Sequence, residues 1–172
     1  GSENCTLPPE ACGDPYTSIF EIQGSGFSTP LSGTNLATEG IVVGDFQEGG
    51  KNGFFIQDMT GDGDPSTSDG VFVYAPGAMD VSVGDHVRVR GTATEYFDLT
   101  QISTSQLWLC EAGVTLPEAT ELALPVESAD DFEQLEGMYV TIPQDLVIAE
   151  YFNFDRYGEI VLSSERFMNY TA

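Results

Sequence analysis

Apolar and polar residues alternate with a period of two along several short stretches of this chain. The cleanest is 86–95 (His-Val-Arg-Val-Arg-Gly-Thr-Ala-Thr-Glu), where Val87, Val89 and Gly91 share one face and Arg88 and Arg90 share the other, which should be the outer one. Other β-rich runs cover residues 35–45, 54–57, 70–75, 100–103 and 107–110, each bounded by Gly, Pro, Asn or Asp. The Gly49-Gly50-Lys51-Asn52-Gly53 turn predicts a hairpin joining the first two runs, with Gly40 and Gly44 marking bends or a bulge. Val81-Ser-Val-Gly-Asp85 reads as a tight turn feeding the alternating strand. Residues 17–23 read as a short strand or a helical turn.

These elements predict an all-β protein, an OB-like Greek-key β-barrel over residues 17–112 with additional C-terminal strands. Residues 1–16 form an irregular leader, in which Gly1-Ser2 reads as a cloning scar. Residues 113–172 begin with a Pro/Glu-rich connector, and 130–135 read as one helical turn. Beyond it, Glu136-Gly-Met-Tyr-Val-Thr-Ile142 echoes Glu39-Gly-Ile-Val-Val43, and Glu159-Ile-Val-Leu-Ser163 follows Tyr157-Gly158 as Phe54-Phe-Ile56 follows Asn52-Gly53. Two readings stand: a partial second OB-like repeat, or strands that complete one larger barrel.

Charge changes the picture most. The chain carries 28 acidic residues against 5 basic ones, a net charge of -23. Such a field repels nucleic acid phosphates and attracts cations. Arg88 and Arg90 are therefore expected to balance neighbouring carboxylates, with phosphate contact as the alternative. No apolar run reaches the roughly 18 residues of a membrane helix, so no membrane insertion is expected. Three cysteines leave one over: Cys5 can pair with Cys12, or either can tie the leader to Cys110. Two cysteines in the first dozen residues favour an oxidising, extracellular compartment. With one histidine and no Cys-x-x-Cys pair, a zinc site is not expected.

The stretch from Gly53 to Gly70 starts as a strand and then becomes an acidic loop before the next strand. Taking Asp58 as position 1, oxygen-bearing side chains follow at Thr60 (3), Asp62 (5), Ser66 (9) and Asp69 (12), with Gly63 at the turning position 6 and Asp64 at position 7. A hard cation such as Ca²⁺ takes several converging oxygens, and alternate residues of a curled loop supply them. The competing reading is a solvated Gly/Asp turn. A second group of candidates is aromatic. Tyr96, Phe97, Tyr151 and Phe152, with Trp108, Phe154 and Tyr157 beside them, can offer stacking platforms for single-stranded nucleic acid or serve as core and loop anchors. Glu150-Tyr-Phe-Asn-Phe-Asp155 mirrors Glu95-Tyr-Phe-Asp98, consistent with matching loops of a repeat.

The series Ile22-Gln23-Gly24, Glu39-Gly-Ile-Val-Val43, Gly53-Phe-Phe-Ile-Gln-Asp58, Gly61-Asp-Gly-Asp64, Thr67-Ser-Asp-Gly-Val-Phe-Val-Tyr74, Val83-Gly-Asp-His-Val-Arg-Val-Arg-Gly91, Glu95-Tyr96 and Leu99-Thr-Gln-Ile102 resembles the OB-like module of large secreted bacterial nucleases (the ExeM/NucH type). The resemblance implies a parent chain with a DNase I-like domain of the endonuclease/exonuclease/phosphatase class. It implies that any catalytic divalent metal belongs to that domain alone, and that the module's partners are the parent's own nuclease domain and DNA. That centre needs two histidines, and this chain has only His86, which reads as a strand-start residue. The expectation is a secreted, non-catalytic accessory module with a structural Ca²⁺ loop. The alternatives are a Ca²⁺-stabilised spacer of a modular surface protein, or a free-standing OB-fold binder of single-stranded nucleic acid or oligosaccharide.

Overall fold

A computed structural model describes residues 10–48, 50–157 and 159–165. Five strands, β1 (Asn35–Phe46), β2 (Gly53–Gln57), β3 (Gly70–Tyr74), β4 (His86–Tyr96) and β5 (Leu99–Glu111), close into a barrel in the order β1-β2-β3-β5-β4. β3 and β5 run parallel and every other barrel pair is antiparallel. This is the OB-like Greek-key barrel that the alternation predicts.

β1 is long because it serves two partners. Its first half, through Ile41, pairs with β4, and the stretch from Ile41 to Phe46 pairs with β2. The change of partner needs a strong local twist. The register shift between Val42 and Gly44 supplies it, where a bend or bulge is expected. Residues 100–103 and 107–110 belong to one strand, β5, rather than two. The polar run Thr104-Ser105-Gln106 looks like a break, but it is a bulge: Gln106 pairs with Arg90 and Thr104 with Gly91, leaving Ser105 extra.

The inward faces of the strands bury Val42, Phe54, Ile56, Val71, Val73, Val87, Val89 and Ile102 completely. Residues 17–23 resolve in favour of the helical turn. α1 (Ile19–Gln23) adds Ile19 and Ile22, both fully buried, to the same core. Thr17 N–H donates to the Ala37 carbonyl at 2.8 Å, and the Glu21 carboxylate accepts from the Ser18 N–H at 3.1 Å, one half of a capping box.

The N-terminal segment is fastened across the outer face of β4. Cys12 is disulfide-bonded to Cys110, so the leader is tied to β5 and the Cys5–Cys12 alternative does not hold. Cys5 itself lies outside the described residues. Arg88 and Arg90 do point outward from the barrel, but Arg88 is only 1% exposed because the leader covers it. Its guanidinium donates to Glu39 (2.7 Å), Glu10 (2.8 Å) and the carbonyls of Asp14 (2.9 Å) and Pro15 (3.1 Å). Arg90 donates to both oxygens of Glu10. Both arginines balance carboxylates, as expected.

The remaining strands are short. β6 (Thr120–Glu121) pairs in parallel with β7 (Val140–Thr141), and β8 (Val147–Glu150) pairs antiparallel with β9 (Val161–Ser163). α2 (Asp130–Glu133) is the expected helical turn, and α3 (Phe154–Tyr157) precedes β9. No described strand of this tail joins the barrel, so the barrel-completing alternative is not what forms. Nor does β7 pair with β9, as a second copy of the β1–β2 hairpin would require. Pro143 stops β7 after two residues by removing a ladder donor, and β6 occupies one of its edges.

Candidate functional site

The acidic loop links β2 to β3, and the Asp58 N–H closes it on the Asp69 carbonyl at 2.9 Å. Within it the carboxylates fold back on the backbone. Asp58 Oδ1 accepts from the N–H groups of Thr60 (3.0 Å) and Gly61 (3.1 Å), and Asp62 Oδ1 accepts from Asp64 N–H (2.8 Å). Asp64 Oδ1 accepts from the N–H (2.9 Å) and hydroxyl (2.8 Å) of Ser66, and these bonds hold the Asp64 carboxyl below the usual range. These are Asx turns in series, the geometry Asp adopts for local reasons.

Asp69 behaves differently. Its carboxylate lies against the Gly61 α-carbon, so closely that a Cβ there would sit 2.1 Å from Asp69 Oδ2. Gly61 is therefore required both by this approach and by its φ of 59°. Burial pushes the Asp69 carboxyl up, and Asp62 and Asp58 push it further. Its Oδ1 is buried without a hydrogen-bond partner. The loop thus brings Asp58 and Asp62 toward Asp69, while Asp64 and Ser66 satisfy each other and Thr60 turns to Asp58. The donor set is all oxygen, which suits a hard cation, and the orphaned Asp69 oxygen is the place where one would be felt.

Among the described residues, the group of three potential ligands within 4.8 Å of one another is Glu39, His86 and Cys110 rather than any loop triplet. Cys110 is spent in the disulfide and Glu39 is held by Arg88, so that cluster offers no thiolate. His86 sits at the start of β4, 3.5 Å from Glu39, as its place in the sequence implies.

The aromatic candidates separate into two sets. Tyr96 and Phe97 stand at the β4–β5 hairpin, on one wall of a groove of about 570 Å³. Phe55, Phe72 and Tyr74 of β2 and β3 form its floor, Leu99, Gln101 and Ser103 of β5 continue it, and Lys51 and Asn52 of the β1–β2 turn also line it. Among the described residues no carboxylate lines this groove, in a chain with 28 of them. Phe46, Phe55 and Phe72 form a continuous row, with ring centroids 5.9 and 4.9 Å apart.

Phe97 is the sharpest feature. It is 88% exposed, has a φ of 50°, and stands edge-on to Tyr96 at 4.7 Å. The two-residue turn Phe97-Asp98 has positive φ at both positions, a conformation normally given to Asn-Gly. A bulky aromatic held in this conformation, with its ring in water, is costly to the fold and points to use. Tyr151 (74% exposed) and Phe152 (85% exposed) lie between β8 and α3 and do not line the groove. Trp108 sits opposite Arg88 on the β4–β5 ladder, Phe154 is exposed on α3, and the side chain of Tyr157 lies outside the described residues.

The floor of the groove was the part sequence reasoning missed. Phe55, Phe72 and Tyr74 read as ordinary strand aromatics, and only their alternation against Phe54, Val71 and Val73 marks them as outward-facing. The fold and groove together define an OB-like β-barrel with an aromatic, acid-free face between two of its turns. No protein-family description and no curated protein matches the sequence. No helix among the described residues is long and apolar enough to cross a membrane.

Proposed function

We propose that this chain is a secreted, non-catalytic OB-like accessory module of an extracellular nuclease. It holds single-stranded nucleic acid in the groove beside Phe97 and presents it to the parent's own nuclease domain. The observation that carries the reading is Phe97 itself: a ring in water, in a conformation that disfavours it, beside a groove without carboxylates. Base stacking on such a platform is sequence-tolerant and adds an attraction that does not itself need phosphate neutralisation, working against the repulsion of a chain of net charge -23. Lys51 is the one cation among the described residues at the groove, so salt dependence should be shallow. The Cys12–Cys110 disulfide is in keeping with an oxidising, extracellular setting.

The test is the binding of a fluorescent single-stranded DNA oligonucleotide at two salt concentrations. Weak binding that survives added salt and is lost in Phe97→Asn is expected. Binding that vanishes with salt, or is unchanged in the variant, would remove the stacking mode. A second reading, an oligosaccharide bound in the same groove, is favoured by the amide and hydroxyl groups of Asn52, Gln101 and Ser103 around the aromatic floor. Retention on immobilised polysaccharide without DNA binding would select it. The acidic loop, in this proposal, folds round a structural Ca²⁺ held by Asp58, Asp62 and Asp69, with Thr60, Asp64 and Ser66 as further oxygens. Asp62→Ala with Asp64→Ala removes turn bonds as well as ligands, so it should lower the melting temperature more in Ca²⁺ than in EDTA. Equal losses in both would make the carboxylates turn formers only.

A further inference from the structure

Residues 136–139 of the tail lie in a seam against the start of β3. Gly137 packs directly on Gly70: a Cβ on Gly70 would lie 2.4 Å from the Gly137 carbonyl group, and Gly137 itself has a φ of 72°. The Ser68 hydroxyl donates to the Glu136 carbonyl at 2.6 Å, and the Tyr139 N–H donates to Gln57 Oε1 at 2.7 Å. These contacts place the Glu136 side chain between α1 and β5. There its Oε1 accepts from Gln23 Nε2 at 3.2 Å and from the Thr100 N–H at 3.0 Å.

The groups around Glu136 share one sign. From β4 comes Glu95, whose Oε1 accepts from the Thr100 hydroxyl at 2.8 Å and from the Thr29 N–H, and whose Oε2 is buried without a partner. From α2 comes Glu133, itself faced by Asp130 and Asp98. α1 offers the neutral Gln23, β5 the neutral Thr100, and the loop before β3 the neutral Ser68. Glu10 and Glu39, by contrast, are paired with Arg88, Arg90 and His86. Thr100 thus bridges two carboxyl groups, donating its N–H to one and its hydroxyl to the other.

We propose that this seam is a pH-sensitive latch: the tail docks on the barrel while Glu136, facing Glu95 and Glu133, holds a proton, and its grip weakens as that proton leaves. Burial raises the Glu136 carboxyl from 4.5 to about 7, with Glu133 and Glu95 adding to burial against the bonds from Gln23 and Thr100. Because the docked form has the higher value, the proton's contribution is complete below about pH 4.5 and is gone above about 7. The latch therefore grips in mildly acidic surroundings and eases at neutrality, adjusting how the segment after the barrel is carried relative to the groove.

Two measurements on the whole chain test this. A carbon-13 carboxyl titration, assigned with Glu136→Gln, should place the Glu136 midpoint near neutrality; a midpoint in the ordinary carboxylate range would overturn the proposal. The exchange protection factor of the Tyr139 amide should fall by at most about tenfold per pH unit up to about pH 7 and then level off, the limit for one proton. Glu136→Gln keeps both acceptor contacts and should be flat over that window. An equal slope in wild type and variant would sink the latch. If the variant does not fold, the Glu136 carboxyl is assigned in wild type through its own side-chain and backbone carbon connectivities, and that titration decides.

Discussion

The barrel and the tail are built from similar words and come out as different objects. Glu39-Gly-Ile-Val-Val43 lies in a 12-residue strand that pairs on both sides and buries Ile41 and Val42. Glu136-Gly-Met-Tyr-Val-Thr-Ile142 yields a strand of two residues, and the strands of the tail's antiparallel pair leave Val147, Ile148, Val161 and Leu162 exposed. The difference is length and closure. A strand that can twist past a bulge into a second partner closes a barrel and hides its apolar face; one stopped by Pro143 cannot. The motif marks where a strand begins, and the residues C-terminal to it decide whether a core forms.

This contrast predicts where the molecule is breakable. The largest effect should come from Cys12→Ser, because the bridge spans a sequence separation of 98 residues. Chain-entropy reasoning puts its loss at about 4–5 kcal/mol, read from urea unfolding of wild type and variant. Next, Phe54→Ala in the barrel core should cost about 3–5 kcal/mol, while Leu162→Ala in the tail should cost less than about 0.5 kcal/mol by the same measurement. Similar costs at the two sites would mean that the tail shares the barrel's cooperative core, contrary to its exposure.

The sequence makes the barrel legible because alternation and turn glycines are local signals. Val87 and Val89 declare a face, and Gly44 declares a bend. The bulge at Ser105 is not local: it exists only because β4 and β5 must stay paired past Arg90. The groove is legible at its rim, where Tyr96 and Phe97 stand out beside Asp98, and illegible on its floor. Phe55 and Phe72 become a floor only when β2 and β3 pair and the β4–β5 hairpin folds over their outer side. The role of Arg88 escapes for a related reason. Its partners Glu10 and Glu39 are 78 and 49 residues away, so the sequence shows an arginine that needs a carboxylate but not which one.

The two fastenings of the molecule should also respond to pH with opposite sign. Glu10, on the leader, is held below the usual carboxylate range chiefly by its bond to Arg90 and then by Arg88. A depressed folded-state value means stability that is present above about pH 4.5 and is lost as pH falls through the folded value. Below about pH 4 the leader should loosen while the tail seam is at its tightest; near pH 8 the order should reverse. Limited proteolysis at the two pH values, with cleavage mapped to the leader or to the tail, checks this. The same order of cleavage at both would show that neither fastening titrates as its surroundings require.

A small and stabilising effect should be the most informative. Phe97 occupies a left-handed turn position that an L residue with a Cβ adopts at a cost of about 1–2 kcal/mol, and Asn tolerates it better. Since the ring is almost fully exposed, removing it forfeits little burial. Phe97→Asn should therefore stabilise the barrel by about 1 kcal/mol while weakening whatever stacks in the groove. An equivalent change at Phe152, also exposed but away from the groove, should leave binding unchanged. A variant that is more stable and binds as well as wild type would mean that the aromatic turn is an accident of sequence. A variant that is more stable and no longer binds would mean that the barrel gives up stability to keep a ring where a ligand meets it.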